Sequence, residues 1–184
     1  MRLGIDAVFL RYGGELTYLR EMLVHADFRP AEIESIVVVA PQWVLDALPE
    51  RDFLIKQSFP WLNRNRFWIL KSQVRMLDQF FQSNADVLMS VTGEYTGKFR
   101  PLIAVSQSLN VFERDYWKDW WKLRDFRRQW LSLRRHLTCL EYSGGIIFLS
   151  RYAQHYLTGI LPLEKKKSIV SGIGVSAQFA LPVK

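Results

Sequence analysis

The chain has 184 residues, of which 49% are hydrophobic, and it carries a formal net charge of +7. This length and apolar content exclude a disordered tail and suit one domain with a sizeable core. A single cysteine, Cys139, excludes an internal disulfide framework, and no paired Cys and His spacing in the sequence suggests a zinc site. No apolar run approaches the ~20 residues that a membrane span needs, so we expect a cytoplasmic protein.

The first predicted strand lies in residues 1–10, whose sequence R-L-G-I-D-A-V-F-L is typical of a parallel sheet covered on both faces. Gly13 and Gly14 follow, and leucines at helical spacing come next. A glycine pair between a strand and a helix lets the backbone approach a ligand, and a helix N-terminus offers amides to a phosphate. Simple turn chemistry is the alternative explanation of the pair. It is not a G-x-G-x-x-G fingerprint, so a dehydrogenase-type dinucleotide site is not supported.

Apolar runs and helical patterns then alternate along the chain. Strands are predicted at residues 36–40, 67–70, 86–91 and 101–107, and helices at 42–48 and 73–82, whereas 53–66 shows no pattern that assigns an element. The alternation predicts an α/β fold, a Rossmann-like open parallel sheet with helices on both faces. Ligands of such sheets bind at the carboxyl ends of the strands. The loops at 11–15, 92–98, 107–113 and 150–151 are therefore the candidate ligand-binding loops.

Residues 114–135 are the most unusual stretch. They contain eight Lys or Arg residues and three Asp, which leaves a local charge of +5, and their spacing predicts one long helix. Its inward stripe is predicted to consist of Tyr116, Trp120, Leu123, Phe126, Trp130, Leu133, Leu137 and Leu140. A second ridge, about one residue's rotation away, combines indole and guanidinium groups from Trp117, Trp121, Arg124, Arg128 and Arg135.

Exposed Trp residues among arginines suit a helix that lies in a membrane interface, where indoles reach the headgroups and arginines meet anionic lipids. The ridge is therefore predicted to face an anionic membrane surface. In the alternative, the two Trp residues pack beneath a loop or another domain, and the arginines form an ordinary solvated face. Nucleic acid is the less favoured partner, because the basic residues lie on one helix without a groove-reading motif.

The segment at residues 144–175 predicts a strand, a helix and a strand. Gly144 and Gly145 precede the apolar run 146–149, Ser150 is predicted to cap the next helix, and residues 168–171 form the second strand. The connection has the length of a right-handed βαβ crossover, so the two strands are predicted to lie parallel in one sheet.

This segment, with I-I-F-L-S-R-Y-A, L-P-L-E-K-K-K-S-I-V-S-G-I-G-V and Phe179, resembles the end of the N-terminal domain of family 4 glycosyltransferases of the GT-B fold. Those domains close with a strand, Ser-x-Tyr/Phe-Ala, a helix, Leu-Pro, Lys, Ile-x-Gly-Val and Phe. The resemblance covers most of the chain. Gly13 and Gly14 match the loop that faces the diphosphate of the nucleotide sugar in that family, so the resemblance implies that they bind the donor diphosphate.

The remaining strand-end loops hold the candidate acceptor and sugar contacts: Glu94, Tyr95, Gln107, Ser108, Asn110 and Arg151. Many family members end the fifth strand with a His-Asp pair, whereas this chain has Gln107-Ser108. General-base chemistry is therefore not expected there, although Gln107 can hydrogen-bond a sugar hydroxyl. Glu94 is the best remaining carboxylate in a ligand-facing loop, with an ordinary solvated glutamate as the alternative. The catalytic residue is not identified.

The sequence lacks the D-x-D motif of GT-A enzymes and the pair of glutamates eight positions apart that marks the donor-binding half of family 4. The resemblance thus implies that residues 1–184 are the single acceptor-side domain, that the interdomain linker starts within 172–184, and that the C-terminal donor-binding domain is absent from this chain. It also implies retaining sugar transfer from a nucleotide-sugar donor to a saccharide or lipid-linked acceptor, without a metal or other cofactor.

By itself such a domain is expected to be inactive and to lie in the cytoplasm, at the inner face of the membrane if the basic helix docks there. The alternative function is a non-catalytic α/β module that binds a membrane surface or nucleic acid.

Overall fold

The computed structural model describes residues 1–10, 13–63, 71–113 and 123–172. Across these ranges seven strands form one sheet: β1 (Arg2–Asp6), β2 (Ser35–Val39), β3 (Leu54–Gln57), β4 (Val87–Ser90), β5 (Leu102–Ser106), β6 (Gly145–Phe148) and β7 (Lys167–Val170). The α-helices described are α1 (Gly14–His25), α2 (Gln42–Leu45), α3 (Lys71–Asn84), α4 (Leu123–Tyr142) and α5 (Arg151–Ile160). Short 3-10 turns lie at Arg29–Ala31, Pro60–Asn63 and Asn110–Phe112.

The strand order is β3-β2-β1-β4-β5-β6-β7, and every neighbouring pair is parallel. Alternate residues of a strand point to opposite faces, and β2 contributes Ile36 and Val38 to one apolar core and Val37 and Val39 to the other. The first core includes residues of α1 and α2, and the second includes residues of α3, α4 and α5. The predicted Rossmann-like α/β fold, an open parallel sheet with helices on both faces, is therefore confirmed.

Most of the helices and strands predicted from apolar runs and capping residues are present in the structure. Ser150 caps α5 as predicted, because its Oγ accepts a hydrogen bond from the Ala153 amide at 3.0 Å. The strands on either side of α5 are parallel neighbours, which confirms the predicted βαβ unit. The predicted strand at residues 67–70 lies outside the described residues.

The edge strand β3 forms where the sequence showed no pattern. It is only four residues long, L-I-K-Q, and Leu54 is its single buried residue, whereas Ile55 is 56% exposed. An edge strand has one neighbour and less cover than a central strand, so its sequence carries neither a continuous apolar run nor a clean alternation.

The predicted inward stripe of α4 is wrong at two positions, whereas Leu140 is buried as predicted. Tyr116, Trp120 and the Leu123 side chain lie outside what the structure describes. Phe126 and Trp130 are 39% and 42% exposed. The buried face instead consists of Ser132, His136, Cys139 and Leu140. At 3.6 residues per turn this face lies between the two predicted faces. Its polar members contact polar groups of a neighbouring loop, so apolar periodicity alone could not locate it.

The close packing of β1 against α3 predicts a large difference between two glycine substitutions. A Cβ added at Gly4 would lie 2.9 Å from Ala85 Cβ and 2.9 Å from Phe81 Cδ1, whereas one added at Gly159 would meet nothing within 4 Å. We expect Gly4→Ala to lower the free energy of unfolding by about 1–3 kcal/mol through overpacking. Gly159→Ala, at an exposed position of α5, should instead raise it by about 0.5–1 kcal/mol.

Urea unfolding of the two variants and the wild-type chain measures both effects. Equal stabilities of Gly4→Ala and wild type would contradict this packing of β1 on α3.

Candidate functional site

The sheet changes direction between β1 and β4. From β1 the chain proceeds outward to β2 and β3, then crosses back to β4 on the other side of β1. Asp6 at the end of β1 is in register with Ser90 at the end of β4. Adjacent loops at such a switch point diverge and leave a crevice, which is where ligands bind in open α/β sheets.

The glycine pair lies on the β1 side of this switch point. Gly13 is the N-cap of α1 and has φ 102° and ψ −142°, a backbone conformation that side-chain-bearing residues rarely adopt. Gly14 is the first residue of α1. A Cβ at either position would meet no described residue within 4 Å, so this part of the structure leaves the backbone open to an approaching group. An open loop that leads into a helix N-terminus is the arrangement that binds phosphates in many proteins.

Asp6 is a buried carboxylate at the centre of the switch point. Its Oδ2 accepts a hydrogen bond from Ser90 Oγ at 2.9 Å, and its Oδ1 accepts one from the Val8 amide at 3.2 Å. Burial raises the pKa of Asp6 to about 6, and the nearby Glu94 carboxylate adds to the shift. The sequence analysis did not single out Asp6. A lone carboxylate inside an otherwise apolar strand was the signal available.

The loop between β4 and β5 is fixed to α3 through Tyr95. The Tyr95 amide donates to Ser90 Oγ at 3.3 Å, and its hydroxyl donates to the Asp78 carboxylate on α3. Asp78 also accepts from the Lys98 amide at 2.9 Å. Burial, followed by the contact with Asp78, raises the pKa of Tyr95. The Tyr95 side chain is thus buried and bound to α3, and it also lines a small cavity together with Asp6 and Phe9, so its contact with a sugar stays a prediction.

Glu94 fixes the same loop to α4. Its Oε2 accepts from Arg135 Nε at 2.7 Å, and its Oε1 accepts from Ser132 Oγ at 3.1 Å. The His136 ring also faces this carboxylate, with its Nδ1 3.8 Å from Glu94 Oε1 and 2.9 Å from the Ser132 carbonyl oxygen. The Glu94 and Arg135 side chains are only 7% and 14% exposed. Glu94 thus lies in the loop after β4, where the sequence placed it, but it is a buried, paired carboxylate and not a solvated loop residue.

Arg135 corrects the predicted membrane ridge. The sequence analysis placed it on the outer face of the helix, whereas the structure turns it inward to Glu94, since a buried carboxylate needs a cationic partner. Arg128 is exposed, as predicted. Trp117, Trp121 and the Arg124 side chain lie outside what the structure describes.

The other predicted contacts lie after β5 and β6, at the same edge of the sheet. Gln107 donates from Nε2 to the Val91 carbonyl at 2.9 Å and is partly buried. Ser108 is partly buried, and Asn110 is exposed at the start of a 3-10 turn. Arg151 is the exposed first residue of α5. Because all strands are parallel, the topology brings these residues to the edge that carries Gly13 and Glu94.

Two further kinds of chemical group are relevant at this site, metal-binding side chains and the Cys139 thiol. Within the described ranges, no group of three or more His, Cys, Asp or Glu side chains is arranged to hold a metal ion. Cys139 is buried beneath the site, and burial raises the pKa of its thiol to about 12, so the thiol stays protonated at neutral pH. In the same part of the chain, no helix is long and apolar enough to cross a membrane.

The fold and this edge define the class of protein: a Rossmann-like α/β domain with a glycine-led helix and a buried polar cluster at its switch point. Comparison with protein-family models and with curated proteins found no match.

The raised pKa of Asp6 predicts a pH-dependent stability. The folded chain keeps the Asp6 proton up to about pH 6, whereas the unfolded chain loses it near pH 4, so rising pH favours the unfolded state. Between pH 5 and pH 8 the wild-type chain should lose about 1.4 kcal/mol more of its free energy of unfolding than Asp6→Asn, which cannot ionise.

Urea unfolding at the two pH values measures this difference. Asp86→Asn is the control, because Arg2 lowers the pKa of the exposed Asp86 and this carboxyl stays ionised throughout the range. An Asp6→Asn variant with the wild-type pH dependence would show that Asp6 does not titrate as inferred.

Proposed function

We propose that this chain is the acceptor-side half of a retaining GT-B glycosyltransferase. The observation that carries the proposal is the positive-φ Gly13 that opens α1 at the β1–β4 switch point. In this position the α1 amides lie at the switch point, where open α/β sheets bind their ligands, and they suit the negative charge of a nucleotide-sugar diphosphate.

The proposal divides the two substrates between two domains. The diphosphate of the donor meets the Gly13-Gly14 loop, and the donor is otherwise held by a second domain encoded beyond Lys184. The acceptor, a saccharide or a lipid-linked sugar, lies along the loops after β4, β5 and β6, where Gln107, Asn110 and Arg151 offer hydrogen-bonding groups.

Catalysis then requires the two domains to close. Closure brings the α1 amides to the leaving diphosphate, where fixed backbone dipoles stabilise the charge that develops as the sugar leaves. Glu94 does not supply a general base in this scheme, because Arg135 and Ser132 already hydrogen-bond both of its oxygens.

Gly14 allows a sharp test. Its backbone conformation accepts a side chain, and no residue that the structure describes would block a Cβ there. An acidic residue in the first helical turn is also favourable. Gly14→Asp should therefore fold, yet its carboxylate repels a diphosphate. We expect sugar transfer by the product of the complete coding sequence to fall at least about tenfold in Gly14→Asp. The uncharged Gly14→Asn variant, of nearly the same shape, should lose far less.

The assay offers a panel of radiolabelled nucleotide sugars and a membrane extract as acceptor source, and the 184-residue chain alone is expected to transfer none. Equal rates of sugar transfer by Gly14→Asp and Gly14→Asn would show that the glycine loop does not bind the diphosphate. Transfer by the 184-residue chain alone would contradict the division between two domains.

A second candidate function, docking to an anionic membrane, is favoured by the exposed face of α4. Phe126 and Trp130 are exposed there, beside exposed arginines at 127, 128 and 134. The Arg134 guanidinium lies 4.9 Å from the centre of the Trp130 ring. This face differs from the predicted ridge, but it combines the same groups. Such docking is compatible with the transferase proposal, since it would hold the domain near a lipid-linked acceptor.

The membrane candidate predicts a loss of vesicle binding in the double variant Trp130→Ala/Arg134→Gln. One basic residue near an anionic surface is worth about 1 kcal/mol, so removing it together with the indole should weaken binding by about fivefold or more. The control Ile55→Ala/Arg20→Gln removes an exposed apolar side chain and one arginine elsewhere on the chain.

Co-sedimentation with vesicles of 30% anionic lipid measures both variants. Equal losses in the two double variants would show attraction by net charge alone, and no loss in either would reject docking through this face.

A further inference from the structure

Arg135 is only partly satisfied by the contacts that hold it. Its Nε donates to Glu94 at 2.7 Å, and in the described part of the chain neither Nη atom donates a hydrogen bond to another residue. Its side chain is nevertheless only 14% exposed. A guanidinium has five N–H donors, and leaving most of them without an acceptor in a poorly hydrated place is costly. This is the pattern of a group arranged for an anion that comes from outside the fold.

The ring of Phe9 determines where this guanidinium lies. The Arg135 guanidinium carbon is 4.2 Å from the centre of that ring. Phe9 belongs to the loop that joins β1 to the Gly13-Gly14 pair, so the cation lies against the loop that leads to the open helix N-terminus. Glu94 holds the same cation from the β4–β5 side. Arg135 is thus held between the two loops that border the crevice.

The guanidinium is also held rigidly. Glu94 fixes Nε, and Ser132 Oγ, one turn earlier on α4, fixes the other oxygen of that carboxylate at 3.1 Å. The guanidinium carbon also lies over the Phe9 ring, which gives the cation a second contact. A planar guanidinium oriented in this way keeps its Nη donors in a fork that matches two oxygens of a phosphate.

We propose that Arg135 binds a phosphate or diphosphate group at the β1–β4 switch point, with Glu94 as the residue that positions its guanidinium. This inference deepens the proposed transferase function and rests on it for the class of ligand. The phosphate has two chemical sources: the diphosphate of a nucleotide-sugar donor, or the phosphate of a lipid-linked acceptor.

The first experiment titrates the chain with inorganic pyrophosphate at an ionic strength of about 0.15 M and measures binding by calorimetry. Arg135→Gln should weaken binding at least about tenfold, as expected for loss of a charge-assisted bidentate contact. Arg134→Gln is the matched control, because it removes the same charge from the adjacent, exposed residue of α4. It should change the affinity less than about twofold, because exposed charges are screened. Equal losses in both variants would overturn the assignment.

A second variant separates binding from a structural role. Glu94→Gln keeps an amide oxygen that can accept from Arg135 Nε, so the guanidinium stays positioned, and it removes the negative charge beside it. Pyrophosphate should therefore bind as tightly as to wild type or more tightly. If the pair serves only to hold the loop to α4, Glu94→Gln should lose binding as Arg135→Gln does, and the proposal fails. If Arg135→Gln does not fold, Glu94→Gln/Arg135→Gln removes both charges together, and wild-type binding by that variant would refute the proposal.

Two further ligands identify the source of the phosphate. Arg135-dependent binding of uridine diphosphate indicates the donor, and Arg135-dependent binding of hexyl phosphate, a soluble stand-in for a lipid phosphate, indicates the acceptor. Binding of neither by the wild-type chain overturns the inference. The two proposals fail separately: sensitivity of sugar transfer to Gly14→Asp with no effect of Arg135→Gln on pyrophosphate binding would retain the transferase and reject Arg135.

Discussion

A buried hydrogen bond joins the two strands at which the sheet changes direction. Ser90 at the end of β4 donates to the Asp6 carboxylate at the end of β1, and the same Ser90 oxygen accepts the Tyr95 amide. One serine thus links the sheet to the loop that follows it. Since both groups are almost fully buried, the bond forms where water cannot compete, and the desolvated carboxylate holds its proton more tightly than usual.

The hydrogen bonds of Ser90 also help to fix the position of the β4–β5 loop. Tyr95 connects it to Asp78 on α3, and Glu94 connects it to Arg135 on α4. The loop is therefore fixed to the sheet and to two helices, although it contains little regular structure. On the β1 side of the switch point the glycines have the opposite character, because no residue in the described ranges lies within 4 Å of a Cβ built on Gly13 or Gly14. A β4–β5 loop held by several side-chain contacts, opposite an accessible glycine backbone, suits a site that must orient a ligand at low entropic cost.

Helix α4 has two faces with different surroundings. Its inner face carries polar groups to the loop, and its outer face carries Trp130 and several arginines to the surface. The arginines of α4 therefore have different roles. Arg135 neutralises a buried carboxylate, whereas Arg134 lies over an exposed indole. Neighbouring residues of like charge on one helix can face different environments, because each residue advances the direction of its side chain by about 100°.

The sequence by itself determined the α/β class and the positions along the chain of most strands, of the glycine loop and of the Ser150 cap, because these depend on local apolar runs, turn residues and caps. It also placed the candidate residues at one edge, since parallel strands share a carboxyl edge. Only the tertiary structure decided the edge strand β3, the rotation of α4 and the partners of Asp6 and Glu94. Those partners are 84 and 41 residues away along the chain, and a pairing of two polar groups across such a distance leaves no periodic trace in either segment.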